Sequence, residues 1–301
     1  MKGLYRIWHT ALWEWSGAIR SRRALVILFL YLASAVLCMN GSISVLGKME
    51  RELAAVLQLP ESEKTGVVSE SLWKSKPFAR IVKATVGEGP VLDDIFGRHP
   101  VELLYAWFAF LCAPLLAVLV CGTRVSDDLR SGAVRYMLVR ETRLEWSLGK
   151  YVGQTFMVGV ALAASSLGAV AVAFFRLSPD VAGALALPML GWGVRAWVFS
   201  LAWIGLALGL SHFTSSPGRA TALGIFAICI FAVGSPVIGF IHSHFGLPDA
   251  VLQLRMFLPS SAEDSLWRFS ATPLAVGSFH LLVLGLVYLM AGAAVFSRRD
   301  I

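Results

Sequence analysis

The stretch Val125–Gly153, VSDDLRSGAVRYMLVRETRLEWSLGKYVG, is the most charged run in an otherwise greasy chain. It lies between two apolar segments, 101–122 and 151–175. Each is near the ~20 residues that an α-helix needs to cross the hydrocarbon core of a bilayer. Ionised side chains are costly in hydrocarbon. The stretch therefore reads as a loop that joins two membrane spans on one side, with Gly132 near its middle.

The rest of the chain agrees. Of 301 residues, 57% are hydrophobic and only 15% charged, against about 25% charged in ordinary soluble domains. This excludes a typical soluble enzyme. The formal net charge of +7 flanks apolar runs, so it speaks for membrane orientation and not for nucleic-acid binding. The expected class is an all-α integral membrane protein with six spans, at about 24–46, 101–122, 151–175, 190–211, 220–241 and 273–296. Apolar character extends over 181–211, too far for one span, and Arg195 interrupts it. The fourth span is therefore expected to begin near Arg195, with 181–194 at the outer interface.

Lysine and arginine counts set the orientation. Lys2, Arg6, Arg20, Arg22 and Arg23 precede the first span, and Arg124, Arg130, Arg135, Arg140, Arg143 and Lys150 lie in 123–150. Arg219, Arg298 and Arg299 fall on the same side, whereas the short opposite segments hold Arg176, Arg195, Arg255 and Arg268. Both termini and the 123–150 loop are expected in the cytoplasm. Ala33-Ser34-Ala35 imitates a signal-peptide cleavage site, but a tryptophan-rich region of more than twenty residues precedes the run, so an uncleaved first span is expected.

Residues 1–23 read as an amphipathic elbow. Leu4, Ile7, Trp8, Ala11, Leu12, Trp15 and Ile19 recur at helical spacing, with Lys2, Arg6 and Glu14 off the stripe. A helix lying on the inner leaflet is expected, with a helix packed on protein as the alternative. Residues 47–100 form a small extracytoplasmic insertion, too short for a secure core of its own. MERELAAVLQLP and KPFARIVKATVG are its candidate helices. The segment 242–272, between the fifth and sixth spans, fits two short interfacial or re-entrant helices.

No HExxH, GxSxG or GxxxxGK[ST] occurs; Gly149-Lys150 lacks the upstream glycine of a phosphate loop. No catalytic residue, metal ligand set or resident cofactor is assigned. His242 and His244 form an HxH pair without an evident third ligand, and a polar interfacial cluster is the plainer reading. Cys38, Cys112, Cys121 and Cys229 lie in or beside apolar runs and read as small buried hydrophobes. Arg195 is expected either to snorkel to water or to line a substrate path. The glycines of GLALGLSH and LGIFAICIFAVG are expected to let helices approach closely.

The charged stretch holds more pattern than a solvated loop requires. Asp127 and Asp128 open a helix, as its dipole favours, and Gly132 interrupts it. Val134, Met137 and Leu138 then fall on one side, before the polar turn Arg140–Arg143. A short helix bearing apolar and basic groups between two spans suits docking to another protein.

These residues resemble the loop between spans two and three in permease subunits of ABC exporters of the type-2 family, which have the type V exporter fold. The resemblance rests on Asp127 and Asp128, Gly132-Ala133, Tyr136-Met137-Leu138, Arg140 to Arg143, and Gly149-Lys150. Aspartates replace the usual glutamates, and Ala133 the usual threonine. Leu208–Ala222, LGLSHFTSSPGRATA, is similar to the family's turn between spans four and five. Ala294–Asp300 is similar to its C-terminal signature, and 1–23 to its elbow helix. The resemblance implies a permease in the bacterial inner membrane that pairs with a second permease chain, as a homo- or heterodimer, and with separate ATPase subunits that bind ATP and Mg. Asp127, Asp128, Arg130, Gly132, Arg135, Met137, Leu138, Arg140 and Glu141 would then form the coupling element. A non-transporting scaffold that anchors a cytoplasmic ATPase or other partner is the alternative. Few charges lie inside the spans, which mildly favours a hydrophobic or amphipathic cargo.

Overall fold

The computed structural model describes residues 2–57, 90–95, 98–245 and 253–298. The elements are α1 (Lys2–Arg20), α2 (Arg22–Leu57), α3 (Pro90–Ile95), α4 (Pro100–Cys121), α5 (Arg124–Ser131), α6 (Ala133–Leu138), α7 (Arg143–Arg176), α8 (Pro179–Ser211), α9 (Pro217–Phe245), α10 (Glu263–Trp267) and α11 (Ala271–Ser297). Two 3₁₀ turns, Leu254–Phe257 and Pro259–Ala262, precede α10. Six helices are long and apolar enough to cross a membrane, and no strand occurs among the described residues. The chain is an all-α integral membrane protein.

Local chemistry explains where the long helices start. Pro100 and Pro179 occupy first-turn positions, where the missing N–H costs nothing. The His99 Nδ1 accepts from the Val101 N–H at 3.2 Å. Thr142 opens α7 with a reciprocal cap: its hydroxyl accepts from the Glu145 N–H, and the Glu145 carboxylate accepts from the Thr142 N–H.

Helix α8 is the most enclosed span and packs against α4, α7, α9 and α11. Its contact with α11 is nearly backbone on backbone. A Cβ at Gly205 would stand 2.0 Å from the Gly285 carbonyl oxygen, and one at Gly292 2.4 Å from that of Gly209. The glycines of GLALGLSH thus set this helix pair, as their spacing predicts.

Three expectations need revision or lie elsewhere. The helix that carries the fourth span does not break at Arg195: α8 runs unbroken from Pro179 to Ser211, and Arg195 finds partners within the protein. Of the four cysteines only Cys121 is buried, while Cys38 and Cys229 are exposed; a weakly polar thiol tolerates lipid as well as a core. The insertion 47–100 is described only at its ends, through Leu57 in α2 and from Pro90 in α3. Its expected second helix, and the side chains of His242 and His244, lie outside the described residues.

Candidate functional site: the hinge between spans 2 and 3

Gly132 takes φ +73°, a left-handed conformation that costs other residues about 1–2 kcal/mol. It ends α5 and starts α6. The charged stretch is therefore two short helices on a glycine elbow. The two have different surroundings.

Helix α5 is tied into the bundle. The Ser126 N–H donates to the Ser211 hydroxyl at the end of α8, at 3.0 Å. Asp128 pairs with the Lys150 ammonium at 2.6 Å. Lys150 also pairs with Glu14 of the elbow helix, and the Gln154 amide donates to the same carboxylate at 2.9 Å. Lys150 is 1% exposed and Glu14 6%. One buried cation thus joins three elements: α1, α5 and α7. Room for this comes from small residues. A Cβ at Gly149 would fall 2.5 Å from the Thr10 Cβ, and one at Gly153 2.9 Å from that of Glu14. Gly149 and Gly153 let α1 lie directly on α7, with Ala11 and Ala18 buried on its inner side.

Helix α6 is half exposed. Val134 is buried, and Met137 and Leu138 pack against the core. Tyr136 is 81% exposed and Val139 84%; Arg135 and Arg140 are exposed as well. The outward face therefore combines Arg135, Tyr136, Val139 and Arg140. Asp127 and Arg130 sit beside it, 3.5 Å apart on the surface of α5. Glu141 turns back and accepts from the Thr10 hydroxyl at 2.7 Å.

The end of α11 closes the same region. Arg143 donates to the Phe296 carbonyl at 2.6 Å. The Phe296 ring is buried against Trp146 and His212, with centroids 5.7 and 5.6 Å away. His212 contacts the Ser147 hydroxyl at 3.0 Å. The C-terminal signature and the turn after span four, far apart in sequence, thus meet under α5 and the start of α7.

Arg195 lies elsewhere. Its guanidinium sits against both the Trp192 and Phe269 rings, 4.6 and 4.3 Å from their centroids, and donates to the Leu266 carbonyl at 3.2 Å. It pins α8 to the α10 region. Among the described residues no cluster of three His, Cys, Asp or Glu side chains could hold a metal.

Sequence reasoning missed Glu14 and Lys150 as partners, and Tyr136 and Val139 as exposed. A signal for the first pair exists. Glu14 is the first acid of the chain and Lys150 its last lysine, so each stands out in its surroundings.

The fold and the hinge define a polytopic membrane protein with a partly exposed two-helix elbow wired into its spans. Residues 8–301 match the family described as ABC-2 family transporter protein. The chain belongs to that family and is a permease subunit of an ABC transporter, a class that works in the membrane with ABC ATPase partners. No curated protein matches the chain at a significant level.

Proposed function

We propose that this permease is half of an ATP-driven exporter, and that α5 and α6 are the element through which a separate ATPase drives it. The observation that carries the reading is the division of labour across Gly132. Arg135, Tyr136, Val139 and Arg140 face outward, while Ser126 and Asp128 are bonded to spans 4 and 3. A rigid element held at one end and free at the other transmits a push. Asp127 and Arg130 border the contact. Gly132 sets its angle, Met137 and Leu138 seat α6 on the bundle, and Glu141 links it to the elbow helix. ATP and Mg belong to the partner.

In this reading both termini and the hinge are cytoplasmic, the membrane is the bacterial inner membrane, and a second permease chain pairs with this one. The most exposed spans are α2 and α9, whose outer faces are available to lipid or to that partner. The test is affinity purification of the tagged chain in mild detergent, followed by reconstitution. Recovery of an ATPase subunit and ATP-dependent efflux from vesicles are expected. An ATPase that binds while nothing moves would favour the scaffold reading, and no ATPase at all would contradict both.

A further inference from the structure

Away from the hinge, an open cavity of about 470 Å³ lies between α4, α8 and α9 and is bordered by the segment 259–267. That volume suits a small organic molecule. Its walls are largely aromatic: Trp107 from α4, Trp203 from α8, Phe231 from α9 and Trp267 from α10 all line it. Its polar side is carboxylic, from Glu263 and Asp264. Among the described residues no lysine or arginine lines it. The nearby Arg195 is engaged with Trp192, Phe269 and the Leu266 carbonyl instead. Two further groups in the lining have no partner: the Ser260 hydroxyl and the indole N–H of Trp203, a residue only 4% exposed. A buried donor without an acceptor is uncommon in a settled core, and here it belongs to the wall of an open space.

Aromatic faces attract cations; the Asp264 carboxylate adds charge of the right sign, and Glu263 adds its own once an entering cation displaces its proton. A neutral hydrocarbon would leave the carboxylates unused, and an anion would be repelled by them. We propose that this cavity is a binding site for a lipophilic cation, an apolar body carrying one positive charge, and that Glu263 and Asp264 select it. The inference rests on the exporter reading in one respect only: it names the class of cargo such an exporter would accept.

The test needs neither ATPase nor nucleotide. The full chain is placed in lipid nanodiscs, and binding of tetraphenylphosphonium is measured by equilibrium dialysis against empty nanodiscs. Tetraphenylborate, of the same shape and opposite charge, is the control. Saturable binding of the cation at one site per chain is expected, with none for the anion. The pair Glu263→Gln and Asp264→Asn is expected to weaken binding at least ten-fold. Ile228→Trp, which fills the cavity from α9 and leaves the carboxylates alone, is expected to weaken it as well and serves if the first variant does not fold. Equal binding of both ions, or affinity unchanged in the variants that fold, would overturn the proposal. A chain that binds the cation yet exports nothing would sink the exporter reading and leave this site standing. Export of another cargo without cation binding would do the reverse.

Discussion

Lys150 holds two carboxylates on two different helices, and its burial makes the arrangement all or nothing. Removing one partner of a buried ion pair leaves a charge that neither water nor protein satisfies. Lys150→Ala should therefore destabilise the chain by about 3–5 kcal/mol, read as a lowered unfolding temperature in detergent. Neutralising Glu14→Gln and Asp128→Asn in the same chain should recover much of the loss, since no charge then remains buried. Glu263 behaves differently. Burial, with the Asp264 charge second, pushes its carboxyl up to about 7; the Trp267 side chain bonds it and opposes the shift. Helices α3, α8 and α11 pack on α10 and bring Asp94, Arg195, His280 and Tyr288 against the segment 257–268. The folded chain keeps the Glu263 proton at pH values where the unfolded chain has lost it. Stability should therefore fall as pH rises from about 4.5 through 7, and Glu263→Gln should flatten that slope in a thermal-melt series. Little of this was legible in the sequence. Helical periodicity set Glu14 off the apolar stripe, and polarity alone did not reveal that it is buried beside Ala11 against α7, where it meets a lysine 136 positions away.

The elements were more legible, because they follow from local rules. The glycine break at Gly132 is fixed by residues near one another, and the spacing of Gly205 and Gly209 in α8 marks a close helix contact without naming its partner in α11. The elbow helix was half read. It does offer lipid an exposed apolar side, with Leu4, Trp8, Leu12 and Ile19 outward, yet it also packs on α7 through Thr10, Ala11 and Glu14. The start of α8 was misread because a charge inside an apolar run was taken as a boundary, whereas two aromatic rings and a carbonyl accommodate Arg195. At this scale the informative change is Gly132→Val. A β-branched residue in the left-handed region should cost about 1–2 kcal/mol if the turn is kept. If α5 and α6 instead straighten, global stability should hardly change, while coupling to the ATPase should fall sharply. Comparing thermal melting with ATPase stimulation separates the two.

For the whole molecule, hydropathy predicted six spans, and six helices among the described residues are long and apolar enough to cross a membrane, because a bilayer imposes length and composition on each span separately. What hydropathy could not give is which spans sit at the centre and which faces remain open. That depends on residues far apart in the chain meeting across the bundle, as the backbones do at Gly205 and Gly285. The account makes the molecule a lever. The hinge is gripped by spans 3 and 4, the elbow helix and the end of span 6 brace it, and in the proposed coupling its outward face takes the push of the ATPase. The most direct measurement is ATP hydrolysis by the partner ATPase reconstituted with this permease, comparing the native chain with Arg135→Glu and Arg140→Glu combined. Both side chains are exposed, so folding should be preserved, with an unchanged unfolding temperature. The account predicts that permease-dependent stimulation of hydrolysis is lost and the complex weakened. Stimulation and complex formation equal to those of the native chain would contradict it.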